Sequence, residues 1–428
     1  MAWHRRYGIK SYVKSALWIV PFIAIMIDWL LISLTSRIDT WLGWTFLGLN
    51  MQGAQMLCQT ILSITISFIV FTSGSLLVAI QVASGQMTPR VIATILLRDN
   101  ILRYTIGLFV LTILFTLRAA NTMGATVNQF AIFATALLGL ASLVAFLFLI
   151  DYAARLLRPG SIVWRVGESG LEVIKSVYPH LVDPDRRQEE KTGRRLGPPD
   201  RVVCHQGRSA TVLAVNLEAL VAEAKKSYGI IEFAPHVGDF IATEEPLFLL
   251  YGGAGDIDDQ KLRTSVAIGS ERTMDQDPTF AFRILLDIAL KALSPAINDP
   301  TTAVLAIDQL HRLLRNLGKR RLSSEEILDA DGQLRVIMRT PNWPDYVHLT
   351  FTELRFNGAS SMQVARRLRA MIENLVQSLP KHRHPALLQE LDLLDRTLAK
   401  DFIFHEDLAL ARIPDSQGLG GSIRSEDS

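Results

Sequence analysis

Glutamate is absent from the first 150 residues of this 428-residue chain, and aspartate occurs there only as Asp28, Asp39 and Asp99. Basic residues are sparse too: Arg5, Arg6, Lys10, Lys14, Arg37, Arg90, Arg98, Arg103 and Arg118. A surface with so little charge does not suit water and points to lipid as the solvent of this half. From Asp151 onward the chain carries 35 basic and 39 acidic residues, an ordinary charge density for a water-soluble domain. The overall net charge of +2 averages two different solvents, so it gives no reason to expect a nucleic-acid partner. Cysteine is nearly missing as well. Cys58 and Cys204 are the full complement, which excludes a disulfide framework and suits a reducing compartment. There is no Gly-Lys-Ser/Thr phosphate loop, dinucleotide fingerprint, nucleophile elbow or paired metal-ligand spacing. Cys204-His205 are adjacent, a poor geometry for two ligands from one strand. No catalytic, cofactor-binding or metal-ligating set follows, no cofactor is expected, and an enzyme has the least support.

What is present in the first half is apolar length. A bilayer core of about 30 Å needs roughly 20 apolar residues in a helix. Four stretches are expected to span: Leu17 to Leu34, Leu57 to Val82, Tyr104 to Leu117, and Phe130 to Ile150. The third is short, and Arg103 and Arg118 at its ends are expected to snorkel to the two interfaces. The basic N-terminus before an apolar run resembles a signal peptide, but no small-residue cleavage site follows, so it reads as a retained first helix. Ten basic residues (Arg5, Arg6, Lys10, Lys14, Arg90, Arg98, Arg103, Arg155, Arg158, Arg165) lie in one set of flanking loops and two (Arg37, Arg118) in the other. That asymmetry is expected to place both termini of a multi-pass protein in the cytoplasm. Trp41 and Trp44 suit an interfacial belt. Thr88-Pro89-Arg90, followed by Val91, Ile92, Ile95 and Leu96, reads as a short amphipathic helix along the inner face or packed on the bundle.

Two features of this half could carry chemistry. Asp28 is the one carboxylate inside an expected span, either a transport group or a structural polar anchor. In the second span Thr60, Ser63, Ser67 and Gly74 share one helical stripe with Gln81 at its inner end. Such a face either packs closely on another helix or lines a wet path in an oligomer.

The soluble half divides further. Residues 1–152 form the four-helix membrane domain, 153–200 a connecting helix and charged linker, 201–257 a β-rich part, 258–410 a helical part and 411–428 a flexible tail. Asp183 to Arg201 reads as a mobile loop. Val202-Val203 and Ala210 to Val215 are strand-like, Leu217 to Ser227 is helical, and Ile230 to Leu250 alternates strands and turns. The Val237-Gly238-Asp239 turn between strands resembles that of biotinyl and lipoyl barrel-sandwich domains, although their modified lysine has no counterpart. The fold class is therefore an α-helical membrane protein with a mixed α+β cytoplasmic domain, a small barrel-like part plus a helical region. Asp277-Pro278 and Asn298-Asp299-Pro300 start two helices, with an acceptor at the cap and proline at the first position. Phe282, Leu285, Leu286, Ala289 and Leu293 form the apolar stripe of one, and Val304, Ile307, Leu310 and Leu314 that of the other.

The run Glu271-Arg272-Thr273, Asp275-Gln276-Asp277-Pro278, Asp287-Ile288-Ala289, Ala292 to Pro300 and Thr302-Ala303 resembles the signature of bacterial predicted membrane proteins grouped as domain of unknown function 2254. The Gln81 to Arg90 elbow and the terminal Asp415 to Gly421 are similar as well. The resemblance implies a four-span protein of the bacterial inner membrane with a cytoplasmic domain and brings no activity. Within the run, Glu271, Arg272, Asp275, Asp277, Arg283 and Asp287, with Asn298 and Asp299 across the hairpin, form the densest polar cluster. It reads either as an ion or small-molecule site or as caps and salt bridges that fix the hairpin. Lys319-Arg320-Arg321 and Arg366-Arg367 with Arg369 read either as faces toward anionic lipid headgroups or, by default, as solvated faces, and His382-Arg383-His384 as a solvated loop. Two function classes remain. One is a homo-oligomeric channel or transporter gated or assembled by its cytoplasmic domain; the other is a membrane-anchored signalling or scaffold protein. In both, the lipid bilayer is a partner.

Overall fold

The computed structural model describes residues 3–16, 18–42, 48–86, 99–123, 127–156, 158–182, 196–322 and 326–420. The Thr88–Leu96 helix, Trp44, most of the Asp183–Arg201 loop and the last eight residues lie outside them. The chain forms two compact units, one of Tyr12–Gly85 and Pro89–Ile162, the other chiefly of Met1–Ser11 and Val163–Ser428. Helix α1 (Trp3–Ser15) begins in the second of these.

The apolar unit is built from α2 (Ile19–Leu42), α3 (Met51–Gln86), α4 (Asn100–Asn121) and α5 (Gln129–Leu156). Helices α3, α4 and α5 are long and apolar enough to cross a membrane, over Met51–Val78, Asn100–Asn121 and Gln129–Arg155, whereas the apolar stretch of α2 is shorter, Ile19–Thr35. Helix α4 exceeds its expected length because Asp99 caps it, accepting from the amides of Ile101 (2.9 Å) and Leu102 (3.3 Å). Arg103 is buried and donates to the Val13 carbonyl at 2.9 Å, so it does not mark an interface. Gly107 sets the approach of α2 to α4: a Cβ there would lie 2.6 Å from the Val20 side chain. Thr112 and Ser142 join α4 to α5 through a buried hydroxyl pair 2.8 Å apart.

In the second unit α6 (Pro159–Val177) leads to β1 (Arg201–Cys204), β2 (Ala210–Val215), α7 (Leu217–Lys226), β3 (Gly229–Phe233), β4 (Phe240–Ile241) and β5 (Pro246–Gly252). Then come α8 (Asp259–Thr264), β6 (Val266–Gly269), α9 (Pro278–Ala292), α10 (Pro300–Gly318), β7 (Glu326–Leu328) and β8 (Leu334–Met338). Four helices complete the described part: α11 (Trp343–Gly358), α12 (Met362–Ser378), α13 (His384–Asp401) and α14 (His405–Ala411). The strands make a five-stranded sheet ordered β1-β5-β3-β8-β7 and a three-stranded sheet ordered β4-β2-β6. Among the described residues only the β3–β8 pairing is parallel. Both sheets contribute to one core, including Val212, Ile241 and Val266 from the smaller and Ile231, Phe233, Phe248 and Val336 from the larger, together with Leu220 and Ala224 of α7.

Two expectations need correction. The Val237-Gly238-Asp239 turn leads from β3 to β4, which lie in different sheets, so it does not join paired strands as in a barrel-sandwich hairpin. Nor does the β-rich part end at residue 257, because β6, β7 and β8 complete the sheets from later in the chain. The helical part follows the expected stripes. Phe282, Leu285, Leu286 and Ala289 on α9 and Val304, Ile307, Leu310 and Leu314 on α10 are buried. Asp277 and Asp299 cap these helices, accepting from the amides of Phe280 and Thr302.

Four arginines of the clusters expected to be solvated, Arg320, Arg366, Arg369 and Arg383, are buried, whereas Lys319, Arg321 and His382 are exposed. Arg366 is fully buried and donates to the carbonyls of Ile413 (3.0 Å) and Gly420 (2.7 Å). Arg320 donates to the Tyr178 carbonyl at 2.7 Å, and Arg383 to the Arg320 carbonyl at 3.2 Å. These arginines bind chain ends and turns where backbone carbonyls have no helical partner. The tail expected to be flexible is folded through Gly420. Asp415 is buried and its carboxylate accepts from the amides of Gln417, Gly418 and Gly420 at 2.9, 3.0 and 2.6 Å. Positive φ at Gly418 and Gly420 turns those amides inward to form an anion nest, which Asp415 fills.

Candidate functional site

In the apolar unit, α3 has two distinct faces. Ala54, Cys58, Thr65, Phe68 and Thr72 are buried against its own unit, and Phe68 stacks on Phe146 of α5 with centroids 4.1 Å apart. At 100° per residue, Thr60, Ser63, Ser67, Gly74 and Gln81 fall on the opposite side, and all five are exposed in the single chain. The hydroxyls of Thr60 and Ser67 bond back to the carbonyls of Met56 and Ser63, each at 2.8 Å. Their donors are satisfied within the helix, while the remaining acceptor capacity faces outward.

Asp28 does not share that face. It is fully buried on α2, with Arg118 Nε of α4 3.0 Å from its carboxylate. Gly107 lies level with Val20, so Asp28 is eight residues and Arg118 eleven residues farther along their helices. The offset of three residues is about 4.5 Å, and an arginine side chain leaning toward its helix N-terminus spans it. Sequence reading missed this partner by treating Arg118 as an interfacial residue. The available signal was that Asp28 and Arg118 are isolated opposite charges in an apolar setting.

The signature cluster resolves into separate sets. Arg272 Nε donates to Asp277 Oδ2 at 2.5 Å and its Nη2 to Thr279 Oγ1 at 2.9 Å, with Thr279 Oγ1 in turn bonded to Asp277. Gly238, at φ 95°, packs on this set so closely that a Cβ would lie 2.4 Å from both Arg272 and Asp277. Arg283 bonds Asp287 at 2.6 Å, as the one-turn spacing implies, and also Glu353 of α11 at 2.5 Å. Its guanidinium is held above its ordinary pKa by the hydrogen bond it donates to Glu353, then by Asp287, against desolvation. Asp299 serves its own helix through Thr302, and Asn298 sits exposed in the left-handed region at φ 49°. Glu271 is exposed. Asp275 accepts from the Tyr7 hydroxyl at 2.8 Å, and Thr273 lies 3.3 Å from the same hydroxyl. Tyr7, Glu353 and Thr279 were missed because nothing in local spacing marks them. Among the described residues no group of three or more His, Cys, Asp or Glu is arranged to hold a metal ion.

A family model described as "Predicted membrane protein (DUF2254)" matches residues 14–374. The chain belongs to this family. Among curated proteins, similar chains include "Uncharacterized protein Mb1321c" of Mycobacterium bovis and "Uncharacterized protein Rv1290c" of Mycobacterium tuberculosis. Each is 24% identical over 424 residues, covering 95% of this chain and 81% of the relative. No solved structure matches. This DUF2254 chain is thus a predicted membrane protein whose relatives carry no activity in their names, and its function has to be argued from the two faces of α3 and the α+β unit.

Proposed function

We propose that the protein is a homo-oligomeric channel or transporter of a bacterial inner membrane, with the polar face of α3 set between copies and the soluble unit assembling or gating them. The observation that carries this reading is the exposure of Thr60, Ser63, Ser67, Gly74 and Gln81 along one side of a helix whose other side is already packed. Small and hydroxyl-bearing residues on an unpartnered membrane face suit contact with another helix or with water better than contact with acyl chains. In this reading α2 also crosses, making four spans, and the ten-to-two bias of basic residues keeps both termini in the cytoplasm. The two sheets act together as a sandwich around their shared core. Asp28 holds α2 to α4 and takes no part in the path. The ion or solute is unspecified, and the cytoplasmic cluster serves as hairpin architecture.

The test is the mass of the full chain in lipid nanodiscs together with ion flux in liposomes. A symmetric oligomer whose flux is reduced by Ser67→Leu is expected. A monomer sinks the proposal. A symmetric oligomer that passes no ion would favour the membrane-anchored signalling reading, for which the Tyr7–Asp275 contact supplies a mechanical link.

A further inference from the structure

Helix α1 carries Arg5, Arg6, Lys10 and Lys14 and no acidic residue, and it ends four residues before α2 begins. Its rotation about its own axis is fixed at Tyr7. The hydroxyl of that residue reaches Asp275 and Thr273, and its ring stacks on Trp3 with centroids 5.6 Å apart. Trp3, His4 and Tyr7 therefore mark the inward side, and all three are partly covered. Half a turn away, Arg5, Arg6, Ile9, Tyr12 and Val13 are exposed. The apolar members of that side are bare to an unusual degree, with Ile9 49%, Tyr12 58% and Val13 41% accessible, and Trp18 just beyond is 55% accessible. Trp18 Nε1 donates to the Tyr12 hydroxyl at 3.1 Å, which draws two amphipathic rings together at the start of α2.

We propose that this outward side of α1 lies on the bilayer and binds anionic phospholipid headgroups. A solvated helix would not gain from presenting isoleucine, tyrosine and valine beside two arginines. A headgroup layer accommodates both, because aliphatic and aromatic groups enter the acyl boundary while guanidinium groups pair with phosphates. The occupant is identified by charge and by tethering. The outward side carries Arg5 and Arg6, and the helix has no acidic residue, which complements an anionic leaflet; the three residues between α1 and α2 cannot carry it far from the point where α2 enters. The Tyr7 contact gives the arrangement a purpose. It joins the lipid-facing helix to the signature segment at Thr273 and Asp275, so headgroup binding is felt by the soluble unit. This rests on the reading that α2 and α3 enter a membrane.

The experiment uses the full chain with Cys58 and Cys204 replaced by alanine and a fluorophore attached through Ile9→Cys. The protein is reconstituted with spin-labelled quencher lipid in phosphatidylcholine alone or mixed with phosphatidylglycerol. A second probe, attached through Leu140→Cys on the exposed side of α5, reports a spanning helix that the proposed path does not use. The expected result is that both probes are quenched, with position 9 quenched about twofold or more strongly in the anionic mixture, since each basic residue near such a surface contributes about 1 kcal/mol. Arg5→Glu with Arg6→Glu is expected to remove that excess and leave the position-140 signal unchanged. Quenching at 140 but not at 9 overturns the proposal and spares the membrane reading. Quenching at neither overturns both. Equal quenching at 9 in the two lipid mixtures overturns the recognition of anionic headgroups.

Discussion

Asp28 shows how an ionisable group in an apolar setting is made tolerable. Unpaired, a buried carboxylate costs several kcal/mol; with Arg118 at 3.0 Å the charge is compensated while the arginine stays partly accessible. Arg118→Leu strands the carboxylate and is expected to destabilise the helical unit by about 3–5 kcal/mol. Changing both residues to leucine restores most of that loss. Thermal unfolding in detergent separates the cases, and equal damage by the single and double changes would contradict the pairing. His311 on α10 makes a different prediction, one of pH. Desolvation, with Arg367 and Arg315 nearby, pushes its pKa down to about 4 despite the 3.0 Å contact to Asn374. The unfolded chain binds this proton first, near pH 6.5, so the stability linked to neutral His311 is complete above that value. It is lost progressively as pH falls toward 4, by on the order of 3 kcal/mol. His311→Gln is expected to flatten this part of the stability–pH curve, and an unaltered slope would remove His311 as its source.

At the scale of elements, the fold relies on close seats and on arginines that bind backbone. Helix α6 packs at Gly170, where a Cβ would lie 2.9 Å from Ala281 of α9 and 3.1 Å from Leu313 of α10. Gly170→Val is expected to cost about 1–3 kcal/mol by overpacking this three-helix contact, read as a drop in the denaturant midpoint. Asp415 organises the last described turn. Burial opposes its charge, but the amides of Gly420, Gly418 and Gln417, together with Arg366, prevail and hold its carboxyl below the usual range. Its contribution is present above the unfolded carboxylate pKa of about 3.9 and lost as pH falls through the lower folded value. Asp415→Asn is expected to loosen residues 413–420 at neutral pH, visible as faster proteolysis confined to that segment. The caps at Asp277 and Asp299 were legible because cap, proline and apolar stripe are local rules written within a few residues. The Arg283–Glu353 pair spans seventy residues, and the Arg366–Gly420 bond spans fifty-four. No local rule reaches that far, and charged residues in short runs look solvated until the carbonyls they serve are located. The two-sheet arrangement was hidden for the same reason, since β8 pairs in parallel with a strand roughly a hundred residues earlier. The polar face of α3 was readable in full, because helical periodicity alone puts Thr60, Ser63, Ser67, Gly74 and Gln81 together.

Across the whole molecule the division into two units has a thermodynamic consequence. The apolar unit is held by helix seats at Gly107, by the Thr112–Ser142 bond and by Asp28–Arg118. The other unit has its own sheet-based core and its own helical hairpin, with Phe282 and Tyr346 at ring centroids 5.2 Å apart. Hydrophobic burial drives the folding of a core that excludes water, whereas helices already in lipid or detergent associate through packing and polar contacts. Two cores stabilised by different forces need not melt together. The full chain in detergent is therefore expected to unfold in two transitions. Arg118→Leu should shift one of them and leave the other in place. Lowering the pH from 7 to 5 should shift the other, and His311→Gln should blunt that shift. Calorimetry across these variants checks the assignment. A single transition that moves with both Arg118→Leu and pH would mean that the two units unfold as one cooperative body, so that a change in the stability of the α+β unit is passed directly to the helices.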